Sequence, residues 1–417
     1  MGDESATLSQ KRCLSGIFLL AFTVACGTDP PSSSAIGGAG AASGGNTSAA
    51  QGGSAAGAGN DNPAAGASSG GVAGQIGGSA SGGGGTAGSA NGAGPMQLIS
   101  HDLPAFASTG MAKNANDAQP NIAWSSEALP AWLAYDVSSV PAAQRKQALL
   151  AWYCYWADYL VTEPKPEQML PLDYVVETNG AAGGGEPPST GWALVATVTA
   201  NAKSARQHRF DLNGANWVRL SVSKSSDPVK VMIDMDLYSA PSGGSDAWLF
   251  MGDSITYMTT QRAFSDLPAL VEKGQKGRVP LVIDGALGGT NTTTAQDIIA
   301  TSLAEFDGRY VVLAYGTNDH AAEYKMESLV QKVIAAGKVP VVPHVPWSDQ
   351  KLDEGPLLNQ NIDALYQKYP EILQGPDLWG AFENRLDLIP HGDVHPNAEG
   401  QEFLRTEWSK VIGTAQP

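Results

Sequence analysis

From residue 247 onward the chain alternates short apolar runs with helix-like stretches, and this alternation restricts the fold more than any other feature. Ala247–Met251, Pro280–Ile283, Tyr310–Tyr315 and Pro340–Val342 are continuously apolar or nearly so. Strands buried on both faces read this way. Helix-like stretches follow at Asn291–Glu305, Glu323–Ala336, Pro356–Tyr369 and Asn397–Ile412. Strands alternating with helices build a parallel sheet covered on both sides, so the expected fold here is a three-layer α/β domain.

The loops that follow these runs carry the chemistry, as expected at strand ends of an open α/β sheet. After the first run comes Gly252-Asp253-Ser254-Ile255-Thr256. After the second comes Asp284-Gly285-Ala286-Leu287-Gly288-Gly289-Thr290, whose glycines let backbone N–H groups approach a ligand closely. After the third comes Gly316-Thr317-Asn318-Asp319, which offers a side-chain amide to a developing negative charge. A fourth segment, His391-Gly392-Asp393-Val394-His395-Pro396-Asn397, precedes the last helical stretch. Gly, Asp and Ser are also ordinary turn formers, so any one segment alone would pass for a strand-end turn. Together they supply a nucleophile, a base and hydrogen-bond donors, the parts of an acyl-transfer site.

In this order and spacing the four segments resemble the SGNH (GDSL-type) esterase family, over Ala247 to Gly413. The resemblance implies Ser254 as nucleophile and His395 as the general base that takes its proton. It implies an oxyanion hole made by the N–H of Ser254, the N–H of Gly288 and the Asn318 side-chain amide. The family usually places its acid three residues before the histidine, and here that residue is Gly392. Asp393, two residues before, is the favoured orienting acid. The alternatives are the Gly392 carbonyl, giving a Ser-His dyad, and Asp393 as a plain turn or helix-entry residue. His391, Asp393 and His395 alternate on one segment and would share a side if it were extended, so a metal cluster is a competing reading. The serine machinery already accounts for His395, and no metal or cofactor is expected. Asp253 and Asp319 are expected to hydrogen-bond loop amides and hold the shape of the site. His320 and His344 are expected to be satisfied polar side chains.

At the other end, Lys11-Arg12 precede an apolar stretch, Cys13 to Ala25, too short for a lasting membrane span. Residues 1–25 resemble a secretory signal peptide, and Thr23-Val24-Ala25-Cys26 resembles the bacterial lipobox. The resemblance implies a lipidated Cys26, a membrane contact through it, and a location at the bacterial cell envelope or surface. A plain signal peptide with an incidental cysteine is the alternative. Residues 26–95 are Gly, Ala and Ser with almost no charge and no apolar periodicity. Such a segment cannot offset its own ordering entropy, and as a flexible coil it spans roughly 45 Å.

Residues 96–241 hold short strand-like runs at Ala131–Val137, Gln147–Tyr153, Asp173–Thr178, Trp192–Val198, Asn216–Val222 and Val229–Met235. Repeated short strands with polar connections argue for a β-sandwich, and the order of features resembles discoidin-like jelly rolls. This domain is a candidate carbohydrate-binding module. Trp124, Trp132, Trp152, Trp156, Trp192 and Trp217 are candidate sugar platforms, although buried core is the commoner fate of a strand tryptophan. Ser242–Ser245 reads as a hinge to the esterase domain at 246–415.

A net charge of −16 disfavours nucleic acid as a partner. Of three cysteines, only Cys154 falls in the folded part, so no intrachain disulfide is expected there, and Cys154 reads as a buried small hydrophobe. The chain is therefore expected to be an exported serine esterase acting on O-acyl, foremost O-acetyl, esters of carbohydrate or of small molecules. A lipid acylhydrolase or thioesterase is the alternative within the class, and a non-catalytic surface adhesin is the alternative outside it.

Overall fold

The computed structural model describes residues 96–119, 122–155, 157–241, 245–261 and 265–417. The signal-like segment, Cys26, the stretch to residue 95, Trp156 and hinge residues 242–244 lie outside the described residues.

The N-terminal lobe is a β-sandwich. Its strands are β1 (Gln97–Leu98), β2 (Ala105–Ala107), β3 (Trp124–Ser125), β4 (Ala131–Asp136), β5 (Gln147–Tyr153), β6 (Pro171–Asn179), β7 (Ala193–Val198), β8 (Ala205–Asp211), β9 (Trp217–Ser225) and β10 (Met232–Ser239). They pair antiparallel into two sheets, β1-β10-β5-β8 with β3 on β10, and β2-β4-β9-β6-β7. The strand read at Val229 begins at Met232 instead, because the Asp227 carboxylate accepts from the N–H groups of Val229 and Lys230 and holds them in a turn.

β5 has two apolar sides, which is why its sequence shows no alternation. Leu150 and Trp152 enter the core between the sheets, with Leu133, Tyr135, Val176 and Met235. Leu149, Ala151 and Tyr153 enter a second core that also contains Leu249, Leu281, Ile283 and Ile299 of the C-terminal lobe. Truncating Leu149 to alanine in this shared core would cost roughly 2–5 kcal/mol. A charged seam borders it. Lys203 and Arg206 pair with Glu305 at 3.2 and 3.0 Å, Arg209 pairs with Asp307 at 2.6 Å, and Lys203 Nζ donates to the Thr301 carbonyl at 3.0 Å. This seam accounts for β8, whose Ala-Arg-Gln-His-Arg-Phe-Asp sequence carries no apolar signal.

Trp124, Trp152 and Trp217 are fully buried, so they are core residues and not sugar platforms. Trp132 and Trp192 stay partly exposed. Cys154 is buried, with its Sγ donating to the Gln168 carbonyl at 2.9 Å.

The C-terminal lobe runs β11 (Ala247–Gly252), α1 (Ser254–Thr260), α2 (Leu267–Gly274), β12 (Leu281–Asp284), α3 (Thr292–Ala304), β13 (Tyr310–Ala314), α4 (Met326–Ala335), β14 (Val339–Val342), α5 (Gly355–Lys368), β15 (Leu373–Gln374), α6 (Leu378–Glu383) and α7 (Ala398–Thr414). Its strands form one parallel sheet, ordered β12-β11-β13-β14-β15. One face buries Leu249, Met251, Val311 and Leu313 against α3, α4 and α5. The other buries Trp248, Phe250 and Val312 against α2 and α7, giving three layers. α4 starts at Met326, three residues later than its sequence pattern suggests. The Glu354 carboxylate takes the Ala321 N–H at 2.7 Å and closes a separate 3-10 turn there.

Candidate active site

Ser254 opens α1 directly after β11. A side chain on Gly252 would press to within 2.1 Å of Thr256 Oγ1 and 2.7 Å of the Ala314 carbonyl, so the tight strand-to-helix passage requires glycine at that position. Asp253 caps the helix, its carboxylate accepting from Ile255 N–H at 3.0 Å. Burial pushes the Asp253 carboxyl up to about 6, against the pull of its N–H and hydroxyl donors.

Ser254 Oγ lies 2.9 Å from His395 Nε2, and His395 Nδ1 lies 2.8 Å from Asp393 Oδ1. An ionised carboxylate can only accept, so Nδ1 carries the ring proton and Nε2 of the neutral imidazole accepts from the serine hydroxyl. Burial tends to raise the Asp393 carboxyl, but the N–H groups of His395 and Val394 and the His395 ring outweigh it and hold the group below its ordinary value. Asp393 is therefore ionised at neutral pH. The turn that brings it round is Gly392, at φ +80°, a left-handed conformation that costs glycine little.

The loop carrying Gly288 is tied to the nucleophile strand by Leu287 N–H and Thr290 Oγ1, both donating to the Gly252 carbonyl at 3.0 and 3.1 Å. A Cβ added at Gly288 would sit 3.9 Å from Ser254 Cβ, which places this backbone beside the nucleophile. Ser254 N–H belongs to the first turn of α1, where backbone donors have no intrahelical acceptor. Asn318 lies across the same loop, its Nδ2 donating to the Thr290 carbonyl at 3.0 Å. Asp319 accepts from Thr292 N–H at 3.0 Å, so Asp253 and Asp319 each brace a loop.

His391 turns away from His395 and pairs with Asp349, which separates the residues of the metal reading; among the described residues no cluster of metal-ligating side chains occurs. His320 pairs with Glu354 at 3.4 Å, and His344 sits between Asp377 and Asp363 at 2.9 and 3.0 Å. Two residues at the site escaped sequence reasoning. Asp284, pushed up to about 7 by burial, accepts from Ala286 N–H at 3.1 Å and Thr260 Oγ1 at 3.0 Å, joining the glycine loop to the far end of α1. Its position at the head of the second segment was the available signal. Asp349 has no local signal, since its partners lie more than forty residues away along the chain.

Serine, imidazole and carboxylate joined by two hydrogen bonds at the C-terminal edge of a parallel sheet are the groups that acyl transfer through a serine requires. Residues 250–403, which hold all of these groups, match the GDSL-like Lipase/Acylhydrolase family. Among solved structures, the acetylxylan esterase Axe2 of Geobacillus stearothermophilus is similar at 18% identity, over 40% of this chain and 94% of that one, with a TM-score of 0.35. The psychrotrophic esterase EstA of a Pseudoalteromonas species is similar at 15% identity, over 40% of this chain and 96% of that one, with a TM-score of 0.34. Chitosan-binding module 1 of a chitosanase/glucanase from Paenibacillus sp. IK-5 is similar at 16% identity, over 34% of this chain and 98% of that one, with a TM-score of 0.25. No curated protein matches the chain.

Proposed function

We propose that this protein is an exported serine esterase that removes O-acyl groups, foremost O-acetyl, from carbohydrate. The observation that carries the reaction is the unbroken path Ser254–His395–Asp393, with steps of 2.9 and 2.8 Å. Ser254 Oγ attacks the ester carbonyl while His395 Nε2 takes its proton, and Asp393 stabilises the imidazolium that forms. Charge on the carbonyl oxygen meets the N–H groups of Ser254 and Gly288 and the second N–H of the Asn318 amide. His395 returns the proton to the departing alcohol, and water then releases the acid by the same steps in reverse order.

The carbohydrate part is supported by the outward face of the β2-β4-β9-β6-β7 sheet. Trp132, Ser221, Val175 and Thr197 lie side by side across β4, β9, β6 and β7, along a cleft of about 410 Å³. Beside them Trp192 stacks on Arg219 at 3.9 Å, and Arg219 pairs with Glu177 at 2.9 Å. A partly exposed indole among hydroxyls suits the mixed apolar and hydroxyl surface of a sugar ring. The net charge of −16 favours uncharged polymers over polyanionic ones. A lipidated Cys26 and the Gly/Ala/Ser stretch would tether the enzyme at the cell envelope.

Ser254→Ala should abolish turnover of p-nitrophenyl acetate without unfolding the protein; a folded variant with wild-type turnover would overturn the assignment. A preference for the octanoate over the acetate, with no acetate released from acetylated polysaccharides, would replace carbohydrate by lipid. Mass spectrometry of the mature N-terminus after expression in a bacterial host tests the anchor, which an unmodified Cys26 would refute.

A further inference from the structure

The acid two residues before the histidine reaches the ring only because the chain reverses at Gly392. A Cβ at Gly392 would meet nothing within 4 Å, so this turn is not imposed by packing around the glycine itself. A hydrogen bond holds it instead. Gly392 N–H donates to both carboxylate oxygens of Asp349, at 3.1 and 3.0 Å, and the ring of His391 pairs with the same carboxylate. The next residue, Asp393, donates its N–H to the Pro390 carbonyl at 3.1 Å and then takes the N–H groups of Val394 and His395 together with the His395 ring. Asp349 lies on the loop after β14, which is anchored in turn. Asn359 of α5 accepts from Val345 N–H at 2.8 Å, Lys351 N–H donates to the Ser348 carbonyl at 3.1 Å, and Ser348 is buried.

Resting on the esterase reading above, we infer that Asp349 is a positioning residue: it clamps the Gly392 turn so that Asp393 meets His395 from two residues away instead of three. The contact that matters is the backbone one. The His391 side chain is 95% exposed, and an ion pair with so exposed a partner contributes little. The Gly392 N–H instead fixes the peptide that enters the turn one residue before Asp393, and a displacement of about 1 Å in a catalytic group costs about 10²-fold in rate.

The test uses purified full-length protein with p-nitrophenyl acetate. Asp349→Ala should lower kcat by about 10-fold to 10²-fold with KM within about twofold. Asp349→Asn, whose amide oxygen can still accept from Gly392 N–H, should recover most of the rate, and His391→Ala should stay near wild type. Placed in an Asp393→Ala background, Asp349→Ala should cost nothing further, since it acts through Asp393. An unchanged rate in Asp349→Ala, a full additional loss in the Asp393→Ala background, or a loss in His391→Ala equal to that of Asp349→Ala would each overturn the inference. Should Asp349→Ala fail to fold, Asp349→Leu takes its place: it offers Gly392 N–H no acceptor and should show the same loss, and a wild-type rate there would overturn the inference. Ser254→Ala in parallel separates the two readings: retained turnover there sinks the esterase assignment, whereas a dead Ser254→Ala beside a wild-type Asp349→Ala sinks only the clamp.

Discussion

Replacing Asp393 by alanine removes the charge that faces the imidazolium during attack, and the geometry allows the loss to be sized. With Nδ1 and Oδ1 2.8 Å apart, the two charge centres are about 4 Å apart. At an effective dielectric constant of about 20 that attraction is about 4 kcal/mol, and at about 40 it is about 2 kcal/mol. The higher dielectric weighs heavily here, because the Asp393 side chain is 47% exposed. Between those bounds the rate should fall roughly 30-fold to 10³-fold. The measurement is kcat and KM for p-nitrophenyl acetate across pH 5 to 9, with thermal melts to show that the variant folds. A folded Asp393→Ala enzyme with wild-type kcat would refute this reasoning and leave a Ser-His dyad steered by the Gly392 carbonyl.

Asn318→Ala should lower kcat by about 10²-fold to 10³-fold with a smaller effect on KM, read from steady-state kinetics; an effect on KM alone would make Asn318 a ground-state contact. Asp253→Asn should stabilise the fold at pH 8 more than at pH 4.5, by about 2 kcal/mol. The sign follows from burial, which raises the carboxyl from 3.8 to about 6, so that stability declines as pH rises through this window and the neutral amide escapes the cost. Equal melting-temperature changes at both pH values would contradict it. Trp132→Ala should weaken retention on insoluble polysaccharide while leaving p-nitrophenyl acetate turnover within twofold; undiminished retention in a pull-down would remove the indole from the binding face.

The parts of the site that could be read in advance share a physical property: each is defined by a short stretch of chain. β11 and β13 are buried on both faces, so they stand out as unbroken apolar runs, and the reactive loops follow at fixed offsets. The segments holding Ser254, Gly288 and Asn318 follow such runs, while the roles of these residues and of His395 were implied by the resemblance to the SGNH family. What escaped was set by partners distant in sequence. β8 is a strand whose outward charges meet Glu305 and Asp307, and nothing in its own residues announces a sheet. Asp349 holds a turn more than forty residues ahead of it. α1 spans only seven residues, too few to display a helical stripe, although its cap Asp253 was in view.

The shared core beneath Leu149, Ala151 and Tyr153 has a consequence for how such an enzyme would work a surface. A sandwich strung on a loose linker lets its partner sweep every ester within the linker's reach, and binding and catalysis then sample many mutual orientations. Here the face bearing Trp132 and the edge bearing Ser254 belong to one welded body, with the seam of Lys203, Arg206 and Glu305 along the join. Any polymer gripped by the sandwich is thus held at a single bearing from the nucleophile. Esters at one offset and one strand orientation come within range, and the next group is reached only when the whole molecule lets go and lands again.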